Sequence, residues 1–222
     1  LLFVPQEVRD APKYGTFQYH PSLCPEHRGP SSINWPIAMG KTRTGLSIFW
    51  PDDGLDEGPM MLQKTCEISP DETLGDVYFK KLFPMGVDAM IEGLELVKAG
   101  VIIKHDQRLE DGSYESWFGK AAAEIDWSKP VADVYNIIRA ANPAPGAWTT
   151  IAGSELKIYD SVCVDGTGTA GDVVSVDEDG VTVQAEGGRI LIKRVRPADS
   201  GKMAASEWAA AAGINSGTKL GS

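Results

Sequence analysis

The stretch Gly45-Leu-Ser-Ile-Phe-Trp50 passes directly into Pro51-Asp-Asp-Gly-Leu-Asp-Glu-Gly58, a segment with four acids and two glycines. The first half predicts a short buried strand that Pro51 ends, and the second half predicts a polar turn. On either side of this stretch, we predict further strands at residues 16–20 and 60–68 and a short helix at residues 31–40. The order strand, helix, strand, strand indicates an α/β domain.

A long amphipathic helical segment is predicted at residues 73–100, where apolar residues recur every three or four positions. Pro84 interrupts this segment. Because a proline removes a backbone donor and clashes with the preceding turn, we expect either a kink or two helices, with Pro84 near the start of the second. Further along, residues 126–128 predict the cap of a helix at residues 130–141.

The last third of the chain changes to a two-residue periodicity, which is typical of strands. We predict strands at residues 156–164, 171–176, 181–186 and 189–195, joined in part by Asp-Glu-Asp-Gly180 and Glu-Gly-Gly188 turns. They indicate a small β-barrel-like, OB-like domain. The expected domains are an α/β domain at 1–120, a linker with a helix at 121–150, the β-domain at 151–205, and a short helix with an unstructured tail at 206–222.

The composition is that of a soluble globular chain, with 42% hydrophobic and 23% charged residues among 222. The net charge of -10 makes nucleic acid a poor partner. No apolar run is long enough to cross a bilayer, so we expect no membrane span. Three scattered cysteines without a glycosylation sequon favour a reducing, cytoplasmic location. The chain opens on an apolar run without Met, and we expect it to be a fragment of a longer protein.

Two apparent motifs are better explained without a ligand. Gly166-Thr-Gly-Thr-Ala-Gly171 fits the dinucleotide pattern, but a β-pattern follows it where that fold needs a helix, so we expect a flexible hairpin turn. His20, Cys24 and His27 suggest a metal site, but no fourth ligand lies at ordinary spacing. We therefore predict no metal, and a loop at His27 that positions its neighbours.

His20 and Asp56 each follow a predicted strand. If the two strands are parallel neighbours, both side chains emerge at the same carboxyl edge of the sheet, where open α/β folds place their sites. A carboxylate beside a histidine sets the tautomer of the imidazole and keeps its pKa near working pH. The sequence therefore suggests a general acid–base pair.

Several segments together resemble the formyltransferases that use 10-formyltetrahydrofolate. They are Tyr19-His-Pro-Ser-Leu-Cys-Pro-Glu-His-Arg-Gly29, Ile33-Asn-Trp35, residues 45–58, and Asp126-Trp127 through Asn142-Pro-Ala-Pro-Gly-Ala-Trp148. The resemblance runs from Leu2 to about Met203. The motif versions here are most similar to the hydrolase domain of 10-formyltetrahydrofolate dehydrogenase, and the family also includes methionyl-tRNA and sugar-nucleotide formyltransferases.

The resemblance implies the C-terminal part of a Rossmann-like formyltransferase domain, with the preceding part absent. It also implies 10-formyltetrahydrofolate as cosubstrate, without a metal. By motif, His20 and Asp56 match the catalytic histidine and carboxylate, and Gln18 stands where the transferases have an Asn that polarises the formyl oxygen. The implied folate-binding residues are Ser22, Leu23, Trp50, Asp52, Asp53, Gly54 and Leu55.

The formyl acceptor is predicted from charge. Residues 151–222 hold seven Lys/Arg against ten Asp/Glu, a net of -3, which does not favour tRNA. We therefore expect water or a small amine as acceptor, with methionyl-tRNA formylation as an alternative. A second alternative is a non-catalytic folate-binding or assembly module, because Gln18 departs from the transferase pattern. A fused or upstream domain is a further expected partner.

Overall fold

The computed structural model describes residues 4–221, and these fold as two compact units. The first unit comprises residues 4–36 and 41–117, and the second comprises residues 37–40 and 118–221. The predicted domain boundaries stay predictions, although a strand already begins at Ala147, inside the predicted linker. Among the described residues, no helix has the length and apolar character needed to cross a membrane.

The first unit is built on a three-stranded sheet with the order β1-β2-β3. Its strands are β1 (Gln18–His20), β2 (Arg43–Phe49) and β3 (Met60–Glu67), preceded by the short helix α1 (Gln6–Arg9). All three strands lie within or close to the ranges that the sequence predicts, because each run of apolar and β-branched residues has one face to bury.

The parallel pairing of β1 and β2, which the sequence argument for a shared sheet edge took as its condition, is not found. Tyr19 pairs with Ile48 in an antiparallel ladder, and β3 is also antiparallel to β2. The connection between the two strands contains only the short helix α2 (Asn34–Ala38), and not the long crossover helix that usually joins parallel neighbours. The Rossmann-like parallel arrangement is therefore not seen in these three strands.

The predicted helical segment 73–100 consists of three consecutive pieces. They are α3 (Leu74–Asp76), a π-helical piece (Val77–Leu82) and α4 (Phe83–Lys98). Thr73 and Asp76 form a reciprocal capping box at the start of the segment. Pro84 lies in the first turn of α4, so the expected break is confirmed, and it takes the form of π-helical turns just before the proline.

Helix α4 packs closely on the sheet through its small residues. A Cβ atom added at Gly86 would lie 2.6 Å from the ring of Tyr19, so only glycine permits this approach. The buried side chains between helix and sheet belong to Leu46, Ile48, Trp50, Met61 and Ala89. The opposite face of the helical segment exposes Phe79, Phe83, Val87, Ile91 and Leu94.

The second unit contains two four-stranded antiparallel sheets and two helices. The sheets have the orders β11-β10-β5-β4 and β6-β9-β8-β7, and the helices are α5 (Val131–Ala140) and α6 (Ala205–Ala212). The strands are β4 (Ala147–Ile151), β5 (Ser154–Ile158), β6 (Ser161–Val164), β7 (Val173–Asp177), β8 (Gly180–Ala185), β9 (Gly188–Ile192), β10 (Arg194–Pro197) and β11 (Met203–Ala204).

This β-rich character agrees with the sequence, whereas closure into an OB-like barrel stays a prediction. The predicted strand 156–164 is two strands, because β5 and β6 belong to different sheets. Both predicted hairpin turns are confirmed, since Asp177 pairs with Gly180 and Ala185 pairs with Gly188. The glycine-rich segment 166–171 is not a hairpin turn, because β6 and β7 lie at opposite edges of their sheet.

Two other expectations fail in the second unit. Helix α5 starts after Pro130 without a side-chain cap, and Asp126 instead accepts hydrogen bonds from the backbone and side chain of Ser128. The C-terminal tail, predicted to be unstructured, is held by hydrogen bonds up to residue 221, the last described residue. The amide of Leu220 donates to Gly171 O at 2.8 Å, and the Leu220 side chain is buried.

Candidate active site

His20 ends β1 and is buried, with both of its ring nitrogens facing oxygen atoms. Nδ1 lies 3.5 Å from Asp56 Oδ2, and Nε2 lies 3.2 Å from the carbonyl oxygen of His27. Burial lowers the pKa of His20 below its ordinary value of 6.5, and this effect outweighs the attraction to Asp56 and the bond to the His27 carbonyl, which both raise it. The imidazole is thus held in a dry environment beside a carboxylate.

Asp56 reaches His20 because the segment after β2 folds back over the end of β1. A Cβ atom added at Gly58 would lie 1.9 Å from the carbonyl oxygen of Trp50, so the loop closes tightly only with glycine there. The Trp50 amide donates to Pro59 O at 2.9 Å and fastens the base of the loop. Asp56 itself has φ 58°, a left-handed conformation that Asp tolerates better than most residues.

The carboxylate of Asp56 is held by two further donors. Gly29 N donates to Oδ2 at 2.9 Å, and Gln18 Nε2 lies 3.5 Å from Oδ1, a long hydrogen bond. The side chain of Gln107 holds the loop from behind by donating to the carbonyl oxygens of Asp56 and Gly58, at 3.0 and 2.7 Å. The structure therefore brings all three predicted catalytic residues together, with Gln18 directed at Asp56.

The predicted folate-binding residues fall into two groups. Ser22 and Trp50 are buried, with Ser22 Oγ donating to Glu26 O at 2.7 Å and Trp50 Nε1 donating to Ile103 O at 2.8 Å. The Trp50 side chain is thus committed to the core and offers no exposed face for a ligand. Leu23 is half-buried, and its side chain packs against Gly45.

The other predicted folate-binding residues lie on the loop after Pro51. Asp52, Asp53 and Leu55 are exposed, and Gly54 is half-buried with its amide donating to Asp52 Oδ1 at 2.9 Å. Arg9 holds this part of the loop, because its guanidinium donates to the carbonyl oxygen of Asp52 and, at 2.8 Å, to Asp53 Oδ1. Their role in folate binding stays a prediction.

His27 forms a second histidine–carboxylate pair behind the first. Its Nδ1 lies 3.1 Å from Glu115 Oε2, and both side chains are largely buried. The predicted positioning loop at His27 therefore lies beside the site. Cys24 is buried between Ser22 and Ser47, and burial raises the pKa of its thiol, which opposes a nucleophilic role. Residues 4–221 contain no group of three side chains able to hold a metal ion.

Sequence reasoning missed three residues of this site: Arg9, Gln107 and Glu115. Each lies in a polar or turn-rich segment without periodicity, so nothing local distinguishes it from other exposed polar residues. All three act on segments far away in the chain, through hydrogen bonds that only the tertiary fold creates.

Comparison with known proteins gives concordant matches along the chain. The family models for the formyl transferase domain and for the formyl transferase C-terminal domain match residues 1–92 and 119–213. The mouse mitochondrial 10-formyltetrahydrofolate dehydrogenase is 36% identical over 98% of the chain, which covers 25% of that protein. The chain thus spans about a quarter of that curated relative.

A bacterial relative and a solved structure agree with these matches. The methionyl-tRNA formyltransferase of Geotalea daltonii is 34% identical over 98% of the chain, and the chain covers 70% of it. The crystal structure of HypX from Aquifex aeolicus in complex with tetrahydrofolic acid superposes with a TM-score of 0.76 at 22% identity, covering 92% of this chain and 36% of that one. At that identity the superposition bears on the fold alone.

Proposed function

The chain belongs to the formyl transferase family, and on that premise we propose that it transfers the formyl group of 10-formyltetrahydrofolate to water or to an amine. The observation that carries this proposal is the buried contact between His20 and Asp56, because a histidine–carboxylate pair can both remove and deliver a proton. The mouse relative, which is named as a 10-formyltetrahydrofolate dehydrogenase, supports 10-formyltetrahydrofolate as the formyl donor.

His20 faces two acceptor oxygens, whereas its neutral ring carries only one N–H, and this arrangement suits proton transfer. Both ring nitrogens face acceptor oxygens, so only the protonated imidazolium can donate to Asp56 and to the His27 carbonyl together. Burial opposes that charged form and lowers the pKa. A neutral ring must leave one nitrogen facing an acceptor without a proton, so the pair gains hydrogen bonding whenever a proton arrives from a substrate.

The proposed reaction uses this arrangement of His20. The oxygen of water or the nitrogen of an amine adds to the formyl carbon, and its proton passes through Asp56 to the neutral ring of His20 as the tetrahedral intermediate forms. The protonated His20 stabilises the developing oxyanion and gives that proton to N10 as the carbon–N10 bond breaks, which returns both residues to their starting states. The products are tetrahydrofolate and either the formylated amine or formic acid, which ionises to formate and a proton, so atoms and charges balance without an oxidant.

Water or a small amine is the proposed acceptor, in the cytoplasm. The acidic balance of residues 151–222 supports this choice, because a partner such as tRNA would meet a net negative charge there. Methionyl-tRNA formylation remains the alternative, since a methionyl-tRNA formyltransferase is among the relatives. We further propose that the strands of the second unit form an OB-like barrel. Because the mouse relative is about four times as long as the region that this chain matches, we also propose a fused partner domain.

The competing function is a non-catalytic folate-binding or assembly module. Gln18 favours this alternative only weakly: one N–H of its amide is directed at Asp56, which leaves a single N–H for a formyl oxygen in that rotamer. The intact His20–Asp56 contact weighs against it, because a module without chemistry has no need to bury an imidazole between two acceptors.

The deciding experiment is an assay of tetrahydrofolate release from 10-formyltetrahydrofolate, with and without candidate amines, on a sample of confirmed intact mass. Release without an amine identifies a hydrolase, and release only with an amine identifies a transferase. Folate binding without release under either condition would contradict catalysis by this chain and support the binding module. Tight tRNA binding with a steep salt dependence would contradict the choice of acceptor.

A further inference from the structure

A second buried histidine–carboxylate contact lies directly behind the first. His27 Nδ1 is 3.1 Å from Glu115 Oε2, and the exposed fractions of the two side chains are only 8% and 13%. Neither side chain contacts His20 or Asp56 in any hydrogen bond of the structure's described residues. The pair therefore needs a reason to be buried here other than direct participation in proton transfer.

The backbone around His27 contacts both members of the catalytic pair. The carbonyl oxygen of His27 faces His20 Nε2 at 3.2 Å, and the amide of Gly29 donates to Asp56 Oδ2 at 2.9 Å. These two contacts come from consecutive peptide groups of one short turn. A shift of this turn therefore moves the hydrogen-bond partner of the histidine and that of the carboxylate together.

The turn that makes these contacts has a left-handed backbone at two residues. His27 has φ 55° and Gly29 has φ 107°; glycine adopts such angles readily, whereas a residue with a side chain adopts them less often and depends more on its surrounding contacts. That conformation directs the His27 carbonyl at His20. The surrounding structure must therefore hold the turn in place.

Residues 113–115 supply those contacts. The amide of His27 donates to Ser113 Oγ at 2.9 Å, and the amide of Arg28 donates to Ser113 O at 3.1 Å. The amide of Glu115 donates back to Arg28 O at 3.1 Å, which completes a short parallel bridge. The ring of His27 then reaches across to the carboxylate of Glu115, so the side-chain pair holds the non-glycine residue of this turn that has a left-handed backbone.

We infer that His27 and Glu115 are a positioning pair that clamps the turn at residues 27–29, so that its backbone holds His20 and Asp56 in register for proton transfer. This inference rests on the proposed function for its catalytic consequence. In this inference the clamp needs an acceptor oxygen on residue 115 for the ring of His27, and it does not need the negative charge of Glu115. Neither residue is assigned contact with substrate.

The test compares Glu115→Ala with Glu115→Gln, which keeps an acceptor oxygen for the ring of His27. We expect Glu115→Ala to lower kcat for tetrahydrofolate release by roughly 10- to 100-fold, with KM for the formyl donor within about twofold, because a small misplacement of reacting groups is costly. Glu115→Gln should keep most of kcat. Glu110→Ala is the matched control, since Glu110 is an exposed carboxylate on the same segment, and it should behave as wild type.

Two further measurements keep the inference falsifiable. Ser113→Ala removes the side-chain acceptor of the His27 amide, so it should also lower kcat. This variant takes the place of Glu115→Ala if the latter does not fold. Nitrogen-15 NMR of the histidine rings, of which the chain has three, reports the His20 hydrogen bonds whether or not the protein turns over. We expect the His20 Nε2 resonance to shift in Glu115→Ala and to stay near its wild-type position in Glu115→Gln.

The results separate this inference from the proposed function. If the wild type releases no tetrahydrofolate, the proposed function fails, while a shifted His20 resonance in Glu115→Ala still supports the clamp. Wild-type kcat or an unchanged His20 resonance in folded Glu115→Ala overturns the clamp. Equal losses of kcat in Glu115→Ala and Glu115→Gln overturn it as well, because they would make the charge of Glu115 the important property.

Discussion

The backbone amide of Gly29 donates a hydrogen bond of 2.9 Å to Asp56 Oδ2, the same carboxylate oxygen that faces Nδ1 of His20. One oxygen atom therefore faces both a backbone amide and a histidine ring. In the proposed reaction His20 gains and loses a proton, and the Gly29 amide is the partner that holds the Asp56 carboxylate in place while Nδ1 is unprotonated.

Replacing Asp56 by Asn should abolish most turnover while folate binding remains. The amide is nearly isosteric but cannot take a proton from the attacking water or amine, and we expect kcat to fall by roughly 10²- to 10⁴-fold. Single-turnover release of tetrahydrofolate measures the loss, and fluorescence titration with a folate measures binding. Asp179→Asn is the control, because Asp179 lies in an exposed hairpin turn of the second unit. Undiminished release from Asp56→Asn would refute the assignment of Asp56.

The size of the effect at Gln18 should reveal its role. Its amide makes one long contact of 3.5 Å to Asp56 Oδ1. If this contact is the whole role of Gln18, the Gln18→Ala variant should lose about 10-fold or less in kcat. A donor to the oxyanion would instead be worth roughly 10²- to 10³-fold. Steady-state kinetics of Gln18→Ala distinguish the two. A loss in the larger range would show that the amide turns toward the formyl oxygen during catalysis.

Stability should depend on pH through His20. Burial lowers the pKa of this residue below 6.5 in the folded chain, so below 6.5 the unfolded chain binds more protons than the folded chain does. The free energy of unfolding is therefore at its full value above pH 6.5 and declines as the pH falls toward the lowered pKa. Urea unfolding at several pH values between 5 and 7.5 measures this decline.

The variant His20→Gln provides the comparison for that pH dependence, because it cannot titrate in this range. The difference in unfolding free energy between wild type and His20→Gln should change with pH in the direction that makes the wild type lose stability in acid. A difference that is constant over the same range would show that the burial of His20 does not disfavour its charged form.

Gly58→Ala should damage both stability and activity. The added Cβ would lie 1.9 Å from the carbonyl oxygen of Trp50, a backbone atom that cannot move without opening the loop that carries Asp56. We expect a loss of about 2 kcal/mol or more in unfolding free energy, together with reduced kcat. Thermal unfolding and the release assay measure the two effects. Gly119→Ala is the matched control, since nothing lies within 4 Å of its Cβ position, and wild-type behaviour of Gly58→Ala would contradict the tight loop.

The sequence is sufficient to predict the elements that bury an apolar face. The strand β2 and the break in the helical segment at Pro84 follow from local residue type, because a strand or helix with one buried face must repeat apolar residues with its own period. Both hairpin turns of the second unit also follow locally, from short polar segments rich in glycine. His20 and Asp56 stand out by their motifs.

Local sequence does not determine strand direction or the partner of a polar residue. The antiparallel pairing of β1 with β2 depends on how the connection through α2 packs, and the anchored tail at Leu220 depends on backbone hydrogen bonds to Gly171 and Thr150. The periodicity of a strand is the same in parallel and antiparallel sheets, and a polar tail has none. Such features are decided by the sum of many distant contacts.

Local residue patterns therefore predict most of the strands and helices, but not β4 or the division of residues 156–164 into two strands, and they identify the histidine and carboxylate of the motif. The three-dimensional fold is needed to show that the loop carrying Asp56 folds back to His20 beside an antiparallel strand pair, and that Glu115 contacts His27. The difference lies in how far apart along the chain the interacting residues are. Burial periodicity is written into neighbouring residues, whereas a hydrogen bond between distant residues exists only after the whole unit has packed.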